Sequence, residues 1–131
     1  MKYNKSEITK YIQIAKGKQK NGNLNQANEI YKRLINQKIY TYDLLISYGL
    51  FNKDINNLKI ARNLFVLTIK KYPLIIKPYL LLAEIFRKEN NINNALKILH
   101  EAKKIEKFNS DIDYDFSITY KLIKKFIHMI Y

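Results

Sequence analysis

Apolar residues recur along most of this chain at the three- and four-residue spacing of an amphipathic helix. In one such stretch Ala27, Tyr31 and Leu34 share a single face, with polar residues between them. Segments rich in Asn or Gly interrupt the pattern, and Pro73 ends another stretch because the residue before a proline is disfavoured in helical geometry. The pattern predicts seven helices, at about 6–20, 25–37, 57–71 and 92–106, one after Thr41, one from Pro78 to Asn90, and one from Ser110 to the end.

One short motif occurs three times along the chain. The motif GNLNQA at 22–27 returns as NNLKIA at 56–61 and as NNINNA at 90–95, so its copies keep one fixed interval, which we call the repeat period. Small residues in the preceding helices keep the same period, at Ala15, Gly49 and Ala83. A period of about 34 residues is typical of a stacked array in which each helical unit buries its face against the next. Because glycine destabilises a helix interior, we expect the partner helix to approach closely at Gly49.

Residues at the helix ends suggest where each helix begins and stops. Gly22 lies in an Asn-Gly-Asn stop, where Gly and Asn tolerate left-handed backbone geometry at low cost. Ser6 and Thr41 are predicted N-caps of the first and third helices. Ser110, followed three residues later by Asp113, predicts a weakened capping box for the last helix.

These residues resemble the tetratricopeptide repeat family, whose unit is a 34-residue helix pair with small residues at the helix contact. The resemblance covers about 8–109 and is closest over 78–105. It implies an all-α, right-handed α-solenoid of three helix-turn-helix units, at about 8–41, 42–75 and 76–109, followed by a C-terminal helix at 110–131, in a single domain of 1–131. Only the second unit keeps the proline near its end, Pro73, since Ile39 and Lys107 stand there in the others. Looser turns between units are therefore expected.

Proteins of that family bind an extended or helical peptide on the concave side, which the first helix of each unit lines. Carried onto this chain, the partner-binding face includes Ile12, Lys16, Lys20, Ile46, Leu50, Lys53, Leu80, Leu81, Glu84 and Arg87. Apolar residues beside cations would suit a peptide with hydrophobic anchors and acidic flanks. The alternative is that the apolar members only fill space between helices. A clamp for a C-terminal carboxylate is not supported, because only Lys16 and Lys77 suit it among the residues at those positions.

The last predicted helix is more apolar than a terminal helix of a stacked array should be, since such a helix normally presents a polar outer face. One stripe is formed by Ile112, Phe116, Tyr120, Ile123, Ile127 and Ile130. A second set extends it and is predicted to mediate self-association or to meet another protein: Tyr114, Ile118, Leu122, Phe126 and Met129. The sequence therefore predicts a possible homodimer through this helix.

Composition adds a rival interpretation. The net charge is +13, and Lys outnumbers Arg by 21 to 3. Lys, Ile, Asn and Tyr make up 68 of the 131 residues and share AT-rich codons, so genomic base composition explains much of the charge. The net charge is spread along the chain with an excess at the N-terminus, where residues 1–41 carry +7, and a basic helical array can attract phosphates. The alternative function is a basic helical-repeat protein that binds RNA or another acidic surface.

The residues that catalysis, metal binding or nucleotide binding would require are absent from the sequence or isolated in it. There is no Cys, the two His residues are isolated, and no Gly-rich phosphate loop occurs. The alternating Asp111, Asp113 and Asp115 suit a helix N-terminus better than a metal. We therefore predict a non-enzymatic chain with no cofactor and no metal site. No apolar run long enough for a membrane span and no secretory signal occur, so a cytoplasmic location, or the soluble compartment of an AT-rich organelle, is expected, and the initial Met suggests a complete small protein.

Overall fold

The computed structural model describes residues 3–130, and Met1, Lys2 and Tyr131 lie outside the described residues. Within that range the chain forms seven helices and no strand. They are α1 (Lys5–Lys20), α2 (Leu24–Asn36), α3 (Tyr42–Asp54), α4 (Leu58–Lys71), α5 (Lys77–Lys88), α6 (Ile92–Ile105) and α7 (Ser110–Ile130). The predicted helices are confirmed to within one or two residues at each end.

Consecutive helices pack as three pairs, α1 with α2, α3 with α4, and α5 with α6, and α7 packs against α6 and α5. The turn inside each pair contains a residue in the left-handed region, at Gly22 (φ 82°), Asn56 (φ 62°) and Asn90 (φ 59°). These positions are one repeat period apart, and Gly and Asn are the residues that adopt this geometry at least cost. The left-handed geometry expected at Gly22 is confirmed, and it recurs with the sequence period.

Two of the three predicted N-caps are wrong. The side chain of Asn4, and not that of Ser6, accepts a hydrogen bond from the Glu7 backbone amide at 2.8 Å. Asn109 in turn accepts from the amides of Asp111 and Ile112, at 2.9 and 3.2 Å. Ser6 and Ser110 already lie within the first turn of their helices, so an Asn immediately before each helix does the capping. The third prediction is confirmed, because the Thr41 hydroxyl accepts from the Leu44 amide at 3.3 Å.

Small residues lie where the two helices of each pair cross. Ala15 and Ala83 on the first helices are fully buried, and so are Ala27, Ala61 and Ala95 on the second helices. Gly49 lies directly against the ring of Phe65, and a Cβ atom at Gly49 would overlap that ring. The close approach expected at Gly49 is therefore present, and the glycine makes room for the Phe65 ring of α4.

Tyr31 occupies the position that Phe65 and Leu99 fill in the later units, and it is fully buried in the core between the first two units. Its ring stacks on Tyr48, with 5.1 Å between the centroids. The Tyr31 hydroxyl has no hydrogen-bond partner among the described residues. Burial, with a smaller contribution from the charge of Asp43, raises the pKa of Tyr31 to about 12. The hydroxyl therefore contributes a desolvation cost that the apolar residues of the other units avoid.

Replacing Gly49 with alanine should destabilise the chain although alanine is the better helix former. The added methyl group must displace the Phe65 ring, and such overpacking costs about 1–3 kcal/mol. Gly17→Ala is the matched control, because no side chain or neighbouring element lies within 4 Å of the methyl group added on α1, apart from the adjacent residues. The control should gain up to about 1 kcal/mol. Urea unfolding of both variants measures the difference, and equal gains would contradict the close contact.

Tyr31→Phe should raise the free energy of unfolding by up to about 1 kcal/mol, because it removes a buried hydroxyl without a partner and keeps the ring. Tyr48→Phe removes a hydroxyl that donates to Asn28 Oδ1 at 2.8 Å. This second variant should therefore lose about 0.5–1.5 kcal/mol. Thermal unfolding followed by circular dichroism compares the two, and destabilisation by Tyr31→Phe would show that its hydroxyl is satisfied.

Candidate functional site

The first helices of the units lie side by side, because α1 packs against α3 and α5 packs against α7. We call the surface formed by α1, α3, α5 and α7 the inner surface. The helix α7 joins this series in register, since Phe116 and Ser117 stand one repeat period after Leu82 and Ala83 of α5. Four helices, rather than the three expected from the repeats alone, therefore contribute to the inner surface.

The apolar residues predicted to bind a partner differ in their exposure. Ile12 and Ile46 are only 1% and 6% exposed and belong to the core, so they have little surface for a partner. Leu50, Leu80 and Leu81 are half-buried, and each packs against a core cluster while keeping part of its side chain accessible. The leucines thus both fill space between helices and form part of the inner surface.

Three of the charged residues predicted for partner binding pair within the chain. Lys53 Nζ lies 2.8 Å from Glu84 Oε2, joining α3 to α5. Arg87 donates to the hydroxyl of Thr119 at 3.3 Å and lies 3.6 Å from Asp115 Oδ2, joining α5 to α7.

A similar polar contact joins α1 to α3, where Gln19 Nε2 donates to Asp54 Oδ2 at 3.3 Å. Gln19, Lys53 and Arg87 are spaced by one repeat period, and each reaches across to the next first helix. We call these three contacts the polar ladder. The regular spacing of the three donors is visible in the sequence. Their acceptors, however, do not repeat at a fixed interval. The ladder fixes neighbouring units to each other and occupies side chains that were predicted to meet a partner.

The lysines of α1 are arranged differently. Lys16 and Lys20 are exposed, and neither forms an ion pair within the described residues 3–130. The helix carries five Lys and one Glu, so its solvent-facing side is basic. These two lysines remain accessible to an acidic group of a partner.

Asp115 is the carboxylate of the inner surface whose protonation is most affected by its surroundings. Burial raises the pKa of the Asp115 carboxyl above its ordinary value, while the nearby Arg87 guanidinium opposes this rise. The charges of Glu84 and Asp111 raise the pKa further. The Arg87 guanidinium therefore favours the ionised form of Asp115 and opposes the effect of burial.

The residues predicted for self-association continue the inner surface onto α7. Tyr114, Ile118 and Leu122 stand one repeat period after Leu80, Glu84 and Lys88 of α5. Tyr114 is 66% exposed, whereas Ile118 and Leu122 are half-buried. The inner surface therefore changes from basic on α1, through the half-buried leucines of α3 and α5, to a mainly apolar face on α7 that also carries the exposed Lys121 and Lys125.

The second half of α7 extends past the helices on which it packs. Phe126 and Met129 of the predicted set are 46% and 75% exposed, and Ile130 is 71% exposed. Beside them lies a groove of about 390 Å³ between α7 and the turn that joins α5 to α6. Its lining consists of Ile123, Phe126, Ile127 and Ile130 together with residues 90–93. The sequence indicated the apolar helix but not the turn that forms the other wall.

Two further properties bear on what the described part of the chain can do. Residues 3–130 contain no group of three or more His, Cys, Asp or Glu side chains placed to hold a metal ion. None of the helices in that range combines the length and apolar character needed to cross a bilayer.

Solved structures of other proteins share this arrangement of helices. The type III secretion translocator chaperone SycD of Yersinia enterocolitica superposes with a TM-score of 0.77 at 13% identity, over 95% of this chain and 90% of SycD. The first tetratricopeptide repeat domain of Spaghetti (RPAP3) superposes with a TM-score of 0.76 at 12% identity, over 92% of this chain and 96% of that one. This chain has the tetratricopeptide repeat fold. No family model and no curated protein sequence matches it.

Two of the matching structures with the tetratricopeptide repeat fold contain a peptide. SycD was solved in complex with a peptide of the translocator YopD, and that structure superposes with a TM-score of 0.74 at 9% identity, over 98% of both chains. The Spaghetti domain was solved bound to the HSP90 peptide SRMEEVD. At these identities the likeness establishes the fold of the present chain, and the bound peptides belong to the other proteins.

Arg87→Met should destabilise the chain by about 1–3 kcal/mol at neutral pH, because it leaves the partly buried Asp115 carboxylate without its cation. The variant should also raise the pKa of Asp115 further. A carboxyl whose pKa is higher in the folded than in the unfolded chain lowers stability at neutral pH. That loss should shrink as the pH falls through the raised folded-state pKa towards 3.8, the ordinary value.

Urea unfolding between pH 7 and pH 3.5 measures this prediction. The matched control is Lys88→Met, which removes a 46% exposed side chain lying 3.7 Å from Glu84. An exposed pair of this kind contributes about 0–1 kcal/mol, so the control should change little at any pH. A loss for Arg87→Met that is independent of pH would contradict the role assigned to Asp115.

Proposed function

We propose that this chain is a non-enzymatic scaffold, an adaptor or assembly factor, which binds a peptide or a helix of a protein partner on its inner surface. The main support for this proposal is that the side chains along the surface change from basic to apolar. Lysines without an ion pair within residues 3–130 lie on α1, and apolar side chains lie on α7. A segment with acidic residues at one end and apolar anchors at the other would match both ends. The acidic end of such a segment would lie on α1, and its apolar end would lie on α7.

The contacts within the chain restrict the proposed binding face. Lys16 and Lys20 would contact the acidic part of the partner, and Leu50, Leu80 and Leu81 would contact its apolar side chains. Lys53, Glu84 and Arg87 would act chiefly by holding the first helices side by side, since they already pair with each other or with Asp115. Ile12 and Ile46 would support the surface from the core.

The peptide complexes of SycD and Spaghetti support this proposal, because both proteins combine the same fold with a bound peptide. Residues 3–130 contain no cluster of metal-ligating side chains, so no metal site in that range competes with the inner surface as the functional site. A partner bound through partly apolar contacts should keep much of its affinity when salt screens the lysines.

RNA or another acidic surface is the second candidate, and the five lysines of α1 favour it. Phosphate contacts lose affinity steeply as salt rises, because each contact releases condensed counterions. Self-association through Tyr114, Ile118, Leu122, Phe126 and Met129 also stays a prediction. Sedimentation velocity would test it, with Phe126→Glu as the variant expected to dissociate a dimer.

Affinity capture from the nuclease-treated extract of the source organism tests the proposal. The full chain is compared with a variant that carries Leu50→Glu and Leu81→Glu on the inner surface. A matched control carries Val66→Glu and Leu74→Glu, two residues that are 42% and 75% exposed on or after α4. Circular dichroism first verifies that all three proteins are folded.

We expect a protein that the wild type and the control retain and that the inner-surface variant loses by about tenfold or more, since introducing buried charge into a binding site costs at least about 1.4 kcal/mol. Equal recovery by all three proteins would contradict binding on the inner surface. Recovery that appears only when nuclease is omitted, and that falls steeply with salt, would establish the RNA alternative instead.

A further inference from the structure

The helix α7 occupies the place of a first helix, but no second helix covers it within the described residues. In the three complete pairs the small residue of the first helix is buried under the second helix, at Ala15, Gly49 and Ala83. The corresponding residue of α7, Ser117, is exposed. Tyr120 and Ile127, on the same side of α7, are 48% and 49% exposed. The side of α7 that a second helix would cover is therefore open and partly apolar.

This open side forms a cleft with α6. The ring of His100 on α6 lies 4.9 Å from that of Phe116 on α7, and the Phe116 ring stacks on Tyr120 at 6.0 Å. Further along, Ile123 and Ile127 face the start of α6 across the groove of about 390 Å³. Phe116, Tyr120, Ile123 and Ile127 are three or four residues apart, so they make one continuous apolar floor.

The edges of this cleft are basic. A depression of about 370 Å³ beside the floor is lined by His100, Lys103 and Lys104 of α6 and by Lys107, which follows that helix. Lys103 lies 2.7 Å from Asp113 Oδ1 of α7, and Lys104 lies 3.4 Å from Glu101 Oε1, so these two cations are partly neutralised within the chain. On α7, Lys124 is exposed beside the floor, and residues 116–130 contain no acidic side chain. An occupant with acidic residues on its outer edges would complement these cations.

We infer that the cleft between α6 and α7 binds an acidic amphipathic helix of a protein partner, which occupies the position that a second helix has in the three complete pairs. The apolar face of that helix would cover Tyr120 and Ile127, and its acidic residues would meet the lysines of α6 and α7. Helix-in-groove recognition of this kind uses anchors at three- and four-residue spacing.

The charges and the shape of the cleft argue against other occupants. A second copy of this chain would bring a further net charge of +13 to edges that are already basic. A bilayer presents a flat surface, whereas the apolar floor here lies in a cleft between two helices. The cleft is also separate from the inner surface, since Ile118 and Leu122 lie on the opposite side of α7 by the 100° step of a helix. The inference therefore does not depend on the proposed function.

The chain itself supplies a template for a test peptide. The helix α6 is a second helix of 14 residues that already packs on a first helix, α5, through the buried Ala95 and Leu99. The test peptide has the sequence of residues 92–105 with glutamate in place of its three lysines. The control peptide keeps the lysines, and a scrambled acidic peptide controls for charge alone. All three are stapled on the polar face, because isolated helices of this length are marginal in water.

Fluorescence anisotropy measures the affinity of each labelled peptide for the full chain and for two variants. We expect the acidic peptide to bind about tenfold or more tightly than the lysine peptide and the scrambled one, as electrostatic and apolar complementarity combine. Ile127→Glu should weaken binding of the acidic peptide by about tenfold or more. Leu50→Glu on the inner surface should leave that affinity unchanged.

Four results would overturn the inference. They are no measurable binding of the acidic peptide, equal binding of the acidic and lysine peptides, loss with Leu50→Glu but not with Ile127→Glu, or equal affinity of the scrambled peptide. Two further measurements identify a different occupant. A dimer in sedimentation velocity that Ile127→Glu dissociates would assign the cleft to a second copy. Binding to phosphatidylserine vesicles that requires Ile127 would assign it to a membrane. Either result would also overturn the inference.

Discussion

The close crossing of the first and second helices in each unit is the contact on which the rest of the structure depends. It requires a small residue on the first helix and an alanine on the second, and both recur with the repeat period from Ala15 to Ala95. Gly49 shows how tight the crossing is, because the ring of Phe65 occupies the space where a Cβ would lie. The left-handed residues at Gly22, Asn56 and Asn90 reverse the chain at the same interval, so that each pair reproduces the same crossing.

The repeats could be predicted from the sequence because the features that define them are local. Helical periodicity, small residues and Asn-rich stops all lie within a few residues of the structure they cause. The N-caps predicted at Ser6 and Ser110 are wrong because Asn4 and Asn109, one or two residues earlier, accept the hydrogen bonds from the first-turn amides. A shift of one or two residues in the helix start decides which side chain reaches those amides. The ion pairs of Lys53 and Arg87 depend on how far each helix pair is rotated relative to the preceding one. The spacing of residues along the chain does not specify this rotation.

The same limit applies to the candidate sites. The sequence predicted a partner-binding face on the first helices, but not that Ile12 and Ile46 are buried or that the polar ladder occupies three of its charged residues. It predicted that α7 is too apolar for a terminal helix, but not that α7 stands in register as a first helix with no second helix against it in residues 3–130. That position gives α7 two distinct faces. One continues the inner surface, and the other forms the cleft with α6.

Hydrogen exchange of the intact chain, followed residue by residue, tests most directly whether α7 is a first helix without a second one. We expect the slowest exchange in α3, α4 and α5, which are covered on both sides by neighbouring helices. We expect much faster exchange over the last two turns of α7, where residues 124–130 are all exposed. Protection of those turns equal to that of α4 would contradict the account, because it would mean that the open side of α7 is already covered.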